Sequence, residues 1–248
     1  MIFDWFKDKV AILPLQGQIT ESQGMGLFPS FMQSSISKME EYLDEIEEDK
    51  KYKGLILEIN SPGGSPYKSR QLAKKISNMN IFKIALIEEQ GTSGAYWIAN
   101  ACDVIVADEL SSVGGIGTIS IRPDLTDFLE KFGIKMDVQE EGKYKDEGMP
   151  FSKVTEEEKE HRQEMIKEIN DMFKRYIKSK RKISEDSEAL EGKVFLGTEA
   201  KEEGLVDHLG DRNKALKIFQ KRTGVRDYKV KDFKEELEKG PSILDLFR

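Results

Sequence analysis

The chain has 248 residues, of which 38% are hydrophobic and 34% charged, and carries a net charge of −7. That length can bury a substantial core in one large α/β domain or two smaller ones, and the composition excludes a disordered chain. The acidic balance, without a large polybasic cluster, argues against nucleic acid as a partner, and no apolar run approaches the roughly 20 residues that a membrane helix needs.

In chain order, Met1 to Asp8 has neither the length nor the pattern of a signal peptide. Its Phe3, Trp5 and Phe6 are expected to pack on the domain or on a neighbouring subunit, with a lipid surface as the other reading. Val10-Ala11-Ile12-Leu13-Pro14-Leu15 reads as a first strand stopped by Pro14 and Gly17. Gly24 to Ser30 reads as a loop. Ile36, Met39, Leu43 and Ile46 recur at helical spacing. A compact apolar strand, Leu55 to Ile59, breaks at Asn60-Ser61-Pro62-Gly63-Gly64, and a helix carrying Leu72, Ala73 and Ile76 follows. Ile81 to Ile87 is another strand, and Gly91-Thr92-Ser93-Gly94-Ala95 turns from it into a helix through Ile98. Val104 to Ala107 is a further strand. Cys102, the only cysteine, excludes an intrachain disulfide and reads as a small buried hydrophobe.

Strands alternating with helices predict a mostly parallel, helix-covered sheet, in which chemistry gathers at the carboxyl ends of the strands. Both Gly-rich loops fall at such ends. Farther on, Thr155 and Glu158 form a capping box that opens a long amphipathic helix over about 155–182, with Ile166, Ile169, Phe173 and Ile177 on one face. The expected organisation is a single domain over 1–226 and a tail over 227–248 that includes the apolar Pro241 to Phe247.

Ser93 stands between small residues where a strand becomes a helix. Gly91-x-Ser93-x-Ala95 is a variant of the nucleophile elbow, in which a sharp turn presents a hydroxyl. Alone, the pattern equally fits a serine that caps a helix. The second loop adds Gly63 and Gly64, whose amides, with that of Gly94, would make an oxyanion hole; a simple Pro-Gly turn is the structural alternative. A serine needs a base, and the two histidines, His161 and His208, read as surface residues away from the strand-end loops. Lysine is the alternative, provided that its amine is neutral. Lys143 and Lys145 alternate on a segment that reads as a short strand, and spacing does not choose between them.

The ordered series Asn60 to Gly64, Thr92 to Ala99, Gly142-Lys143-Tyr144-Lys145-Asp146, and Gly192 to Ala200 leading into Gly204 to Gly210 resembles the signal peptide peptidase A family of serine peptidases, over roughly residues 10–215. The resemblance implies the fold of the Clp protease and crotonase superfamily, built from repeated ββα units with a mostly parallel sheet. It implies Ser93 as nucleophile, Lys145 as general base, and Gly63, Gly64 and Gly94 around the oxyanion. It implies no cofactor and no metal. It also implies a homo-oligomeric ring whose serine and lysine come from one subunit or from neighbours. The substrates implied are unfolded or hydrophobic peptides such as cleaved signal peptides. Val113, Ile116 and Met149, apolar residues near the expected site, are read as shaping a pocket for a small apolar side chain.

The chain departs from the family pattern where a lysine-orienting serine is usual. Here the loop reads Gly114-Gly115-Ile116-Gly117, so Gly115 takes that place, and Ser111, Ser112, Thr118 or a water is the replacement. The membrane anchor common in the family is also absent from this sequence, which leaves a cytoplasmic or membrane-associated chain that is soluble as given. Two other readings stand beside the peptidase: a crotonase-like acyl-CoA enzyme without a covalent serine, and an inactive ring scaffold that binds membrane-protein partners.

Overall fold

The computed structural model describes residues 7–20 and 36–238. The expectations for Phe3, Trp5, Phe6, the loop at 24–30 and the apolar stretch 241–247 lie outside the described residues. The chain divides into two compact units, one of residues 1–116 with 174–248 and the other of 117–173.

The first unit opens with β1 (Asp8–Gln16), α1 (Ile36–Glu48), β2 (Tyr52–Ser61), α2 (Pro66–Asn78), β3 (Phe82–Thr92), α3 (Gly94–Ala99), β4 (Val104–Ala107) and β5 (Ser112–Gly114). The second unit holds α4 (Thr126–Lys131) and most of α5 (Glu156–Lys180), which runs on into the first. The first unit closes with β6 (Val194–Leu196), α6 (Gly197–Glu202), β7 (His208–Leu209), α7 (Arg212–Thr223), β8 (Tyr228–Asp232) and α8 (Lys234–Glu238).

The strands form one sheet in the order β6-β5-β3-β2-β1-β8, and β4 pairs with both β3 and β7. Every pairing is parallel except β5 with β6. The expected α/β architecture with a mostly parallel sheet is therefore what the chain adopts. Parallel strands covered on both faces read as unbroken apolar runs, which is why Leu55–Ile59 and Val104–Ala107 stand out in the sequence. Pro14 does not stop β1, as had been expected; it pairs in register with Glu58. The reason is positional: β8 accompanies β1 only as far as Ile12, so a residue without an N–H falls where that flank no longer needs a donor. The segment read as a tail also supplies β8, whose Lys-rich Tyr228–Asp232 lies on the outer edge beside β1.

One face of the sheet carries a layer of Val10, Ile12, Ile56, Ile84, Leu86, Val104 and Val106, closed by Ala215 and Phe219 of α7. Gly54 leaves the hollow that the Phe219 ring fills, since a Cβ at Gly54 would meet Phe219 Cε2 at 2.5 Å. Above this layer, the buried Glu58 of β2 accepts two hydrogen bonds from Arg212, Nε to Oε1 at 2.5 Å and Nη2 to Oε2 at 2.7 Å. Arg212 Nη1 also donates to Asp232 Oδ2 at 3.0 Å, so one guanidinium ties β2, α7 and the end of β8 together.

The last signature segment is explained by a second network. Asp207 accepts from the Ile105 N–H through Oδ2 at 2.7 Å and from Arg181 Nη1 through Oδ1 at 2.7 Å. Arg181 Nε reaches Asn100 Oδ1 at 3.1 Å, and the buried Tyr96 hydroxyl donates to the Leu205 carbonyl at 2.9 Å. These contacts fasten α3 to the strand pair β4–β7.

In the second unit, the Thr155–Glu158 capping box forms as expected, with Thr155 N–H to Glu158 Oε2 at 2.6 Å and Glu158 N–H to Thr155 Oγ1 at 3.2 Å. The Arg122 guanidinium holds the Met149 and Ser152 carbonyls, and the Leu125 N–H donates to Pro150 O at 2.7 Å.

Arg212→Ala should destabilise the fold by about 3 kcal/mol, because it leaves the buried Glu58 carboxylate uncompensated. Gly54→Ala should cost about 1–3 kcal/mol by driving a methyl into the Phe219 ring. Urea-denaturation midpoints at constant m-value check both; unchanged midpoints would show that these contacts carry no net stability.

Candidate active site

The carboxyl end of β3 is held from both sides. Ser61 of β2 pairs in register with Gly91 on one flank, and Ser112, Val113 and Gly114 of β5 pair with Gln90, Gly91 and Thr92 on the other. At this end the chain reverses sharply. Ser93 has φ 53° and ψ −126°, and among the described residues it is the single non-glycine at positive φ. Such a conformation costs on the order of 1–3 kcal/mol and persists only where the surroundings over-determine it. They do so here through three hydrogen bonds: Ser93 N–H to Gly114 O at 2.8 Å, Trp97 N–H to Ser93 O at 3.1 Å, and Thr92 Oγ1 to Pro62 O at 3.3 Å.

The glycines beside Ser93 are demanded by space. A Cβ at Gly94 would lie 2.2 Å from Ser69 Oγ, and one at Gly91 would lie 2.9 Å from Ile87. A Cβ at Gly63, which has φ 91°, would lie 2.6 Å from the Gly94 nitrogen. The Pro62-Gly63-Gly64 loop and the start of α3 are thus pressed backbone against backbone.

The serine occupies the N-cap position of α3, yet its side chain makes no cap hydrogen bond. A capping serine would accept from an N–H of the first turn, and this hydroxyl does not.

The structure brings Gly63, Gly64, Gly94 and Gly115 together around Ser93. Gly63 N–H donates to Ser61 Oγ at 3.1 Å. Among the described residues, the Gly64 and Gly94 N–H groups have no hydrogen-bond partner. Gly64 N lies 3.3 Å from the position a Gly94 Cβ would take, so these two amides are the candidate donors to a developing anion. Gly115, at φ 61°, sits with its Cβ direction 3.3 Å from Ser93 N, and its N–H donates to Lys193 O at 2.9 Å. A side chain at this position would need a left-handed backbone.

Of the proposed substitutes for a hydroxyl at Gly115, Ser111 is buried and donates to the Ile87 and Glu88 carbonyls, at 3.0 and 2.5 Å. It seals β3 where β4 has ended and β5 has not begun. Ser112 is half-buried in β5, and Thr118 belongs to the second unit. Val113 and Ile116 are fully buried, and Met149 belongs to the second unit.

Lys143 and Lys145, also in the second unit, lie in a run of turns rather than on a strand. Lys145 N–H closes one turn onto Gly142 O at 2.9 Å, and its side chain is exposed. Lys143 Nζ contacts both Glu157 oxygens, at 2.5 and 2.6 Å, and the Tyr144 hydroxyl donates to Glu157 Oε1 at 2.7 Å. The Glu157 hydrogen bond pushes the Lys143 pKa above that of an ordinary lysine, which suits an ion pair and not a base. Among the described residues, Lys145 forms no ion pair.

His161 is exposed, with Nδ1 2.9 Å from Glu147 Oε2, and His208 is exposed on β7. Burial pushes the Cys102 thiol up to about 12, so it is an inert core group. No cluster of His, Cys, Asp and Glu among the described residues would hold a metal.

The comparisons with known proteins bear on the family. Residues 77–226 match the profile of peptidase family S49. "Putative protease MJ0651" of Methanocaldococcus jannaschii is 35% identical over 226 residues, which are 88% of this chain and 71% of that protein. "Putative signal peptide peptidase SppA" of Enterococcus faecium is 32% identical, over 92% of this chain and 67% of its own. Among solved structures, the membrane-bound stomatin-specific protease 1510-N, as a lysine-to-alanine mutant with a substrate peptide, aligns over 98% of this chain and 96% of its own. Its TM-score is 0.51 at 16% identity, a likeness of fold. The strained serine at the end of a central parallel strand, the glycine loop packed against it and the match over 77–226 lead to one conclusion: the chain belongs to peptidase family S49, a family of serine peptidases.

Proposed function

We propose that the chain cleaves peptide bonds with a Ser93–Lys145 dyad, acting on unfolded or hydrophobic peptides such as cleaved signal peptides. The observation that carries the reading is the strained Ser93, whose hydroxyl is not used as a helix cap. Ser93 Oγ attacks the peptide carbonyl carbon while its proton passes to the neutral Lys145 amine. The carbonyl oxygen becomes an oxyanion facing the Gly64 and Gly94 N–H groups. Collapse of the tetrahedral species releases the amine, which takes the proton from Lys145. Water then gives a proton to Lys145, attacks the Ser93 ester and frees the acid, and Ser93 recovers its proton.

The choice of Lys145 over Lys143 rests on the ordered motif series, and the Glu157 ion pair, which raises the Lys143 pKa, supports it. A general base must be neutral at working pH, and for lysine this requires desolvation. Lys145 is exposed in the single chain, so in this reading bound substrate or an adjacent subunit of a homo-oligomer desolvates it. Exposed Ile119, Ile121, Phe128 and Phe132 support the oligomer, because a monomer rarely leaves so much apolar surface in water. The relative from Enterococcus faecium, by its name a signal peptide peptidase, supports the substrate class.

On a fluorogenic peptide, Ser93→Ala and Lys145→Ala should each lower kcat by more than about 10³-fold, and Lys143→Ala by less than about 10-fold. The wild-type kcat/KM should fall on the acid side with unit slope as one base is protonated. If Lys143→Ala abolished turnover and Lys145→Ala did not, the base would be reassigned. If Ser93→Ala turned over normally, the dyad would be discarded.

A further inference from the structure

We infer that Ser61 is a positioning residue for the oxyanion site, and that its hydroxyl selects which of the two loop glycines faces the substrate. The inference rests on the acyl-enzyme reading above and names the part of that site it depends on.

Ser61 is the last residue of β2 and is fully buried. Its hydroxyl donates to Gly17 O at 2.6 Å and accepts from Gly63 N–H at 3.1 Å. One oxygen therefore ties the segment following β1 to the start of the glycine loop. Downstream, Gly63 O accepts from Ile19 N–H at 2.8 Å, and Ser65 N–H donates to Ile19 O at 2.7 Å. The Gly63–Gly64 peptide group is thus held at its carbonyl oxygen, and Gly63 is held at its own N–H.

A trans peptide points its C=O and its N–H in opposite directions. With Gly63 O turned toward Ile19, the Gly64 N–H must point away from Ile19, and Gly64 N lies on the side of Gly94. The loop fits tightly on its Ile19 side. A Cβ at Gly64, at φ 151°, would be 2.1 Å from Ile19 O. Without the Ser61 acceptor, Gly63 N–H would be a buried donor seeking a partner, and rotation of the adjoining peptide planes would supply one at the expense of the Gly64 direction. A peptide bond in this loop that turns by a small angle moves its donor off a line where geometry is catalytically strict.

The test compares wild type, Ser61→Ala, Ser61→Cys and Ser93→Ala on a peptide ester and on its thiono counterpart, in which sulfur replaces the acyl carbonyl oxygen. Sulfur is a poor acceptor, so the oxo-to-thiono ratio of kcat/KM reports the oxyanion donors and is indifferent to a general loss of stability. Ser61→Ala should lower kcat by about 10²-fold with little change in KM and shrink the oxo-to-thiono ratio by about 10-fold. Ser61→Cys, close in size and weaker in hydrogen bonding, should fall between the two, and it decides the matter if Ser61→Ala does not fold. A folded Ser61 variant with wild-type kcat and an unchanged ratio would overturn the inference. Turnover surviving in Ser93→Ala would instead overturn the acyl-enzyme reading beneath it.

Discussion

The hydrogen bond from Ser93 N–H to Gly114 O is the contact on which the site depends. A serine at φ 53° does not stay there by local preference. It stays because β5 extends β3 by three more parallel pairs beyond the end of β4, carrying the Gly114 carbonyl to the turn. The same extension fixes Thr92, whose hydroxyl reaches Pro62 O, so the Ser93 turn and the glycine loop are registered against each other by neighbouring strand ends. The rest of the first unit supports that register: α7 packs on the layer below, and the Asp207–Arg181–Asn100 network fastens α3 from the far side.

Two chemistries of serine meet within this small space. Ser61 and Ser111 are buried, and both hydroxyls are bound to backbone groups that the end of a parallel sheet leaves without partners. Ser93 is half-buried and contributes nothing to capping its helix. The contrast is between hydroxyls that complete the backbone and one that does not. The lysines differ in the same way: Lys143 is ion-paired with Glu157, and among the described residues Lys145 forms no ion pair.

Much of this was legible in the sequence. The central strands announce themselves because both faces of a parallel sheet are apolar, and the Thr155–Glu158 box is a local pattern with a local cause. What was hidden depends on neighbours distant in sequence. β8, Tyr-Lys-Val-Lys-Asp, is short and half-exposed, and its place beside β1 is set by pairing with a strand more than 200 residues earlier. The passage of β1 through Pro14 depends on β8 ending early. Gly17, the acceptor for the Ser61 hydroxyl, comes within reach only once β1 and β2 lie side by side. The turn carrying Lys143 and Lys145 was misread as a strand because two alternating lysines imitate period two, while Gly142 at φ 111° and Gly148 at φ 91° mark it as coil.

The placement of β8 beside β1 also bears on how the molecule comes into being. On the ribosome, β1 acquires its β2 neighbour early, but its other flank waits until Tyr228–Asp232 has been synthesised, as does the Asp232 contact to Arg212. A nascent chain can thus carry the complete Ser93 turn while one edge of its sheet is still open, a state prone to intermolecular strand pairing. Closure by a strand so distant in sequence from β1 makes folding dominated by long-range contacts, hence slow.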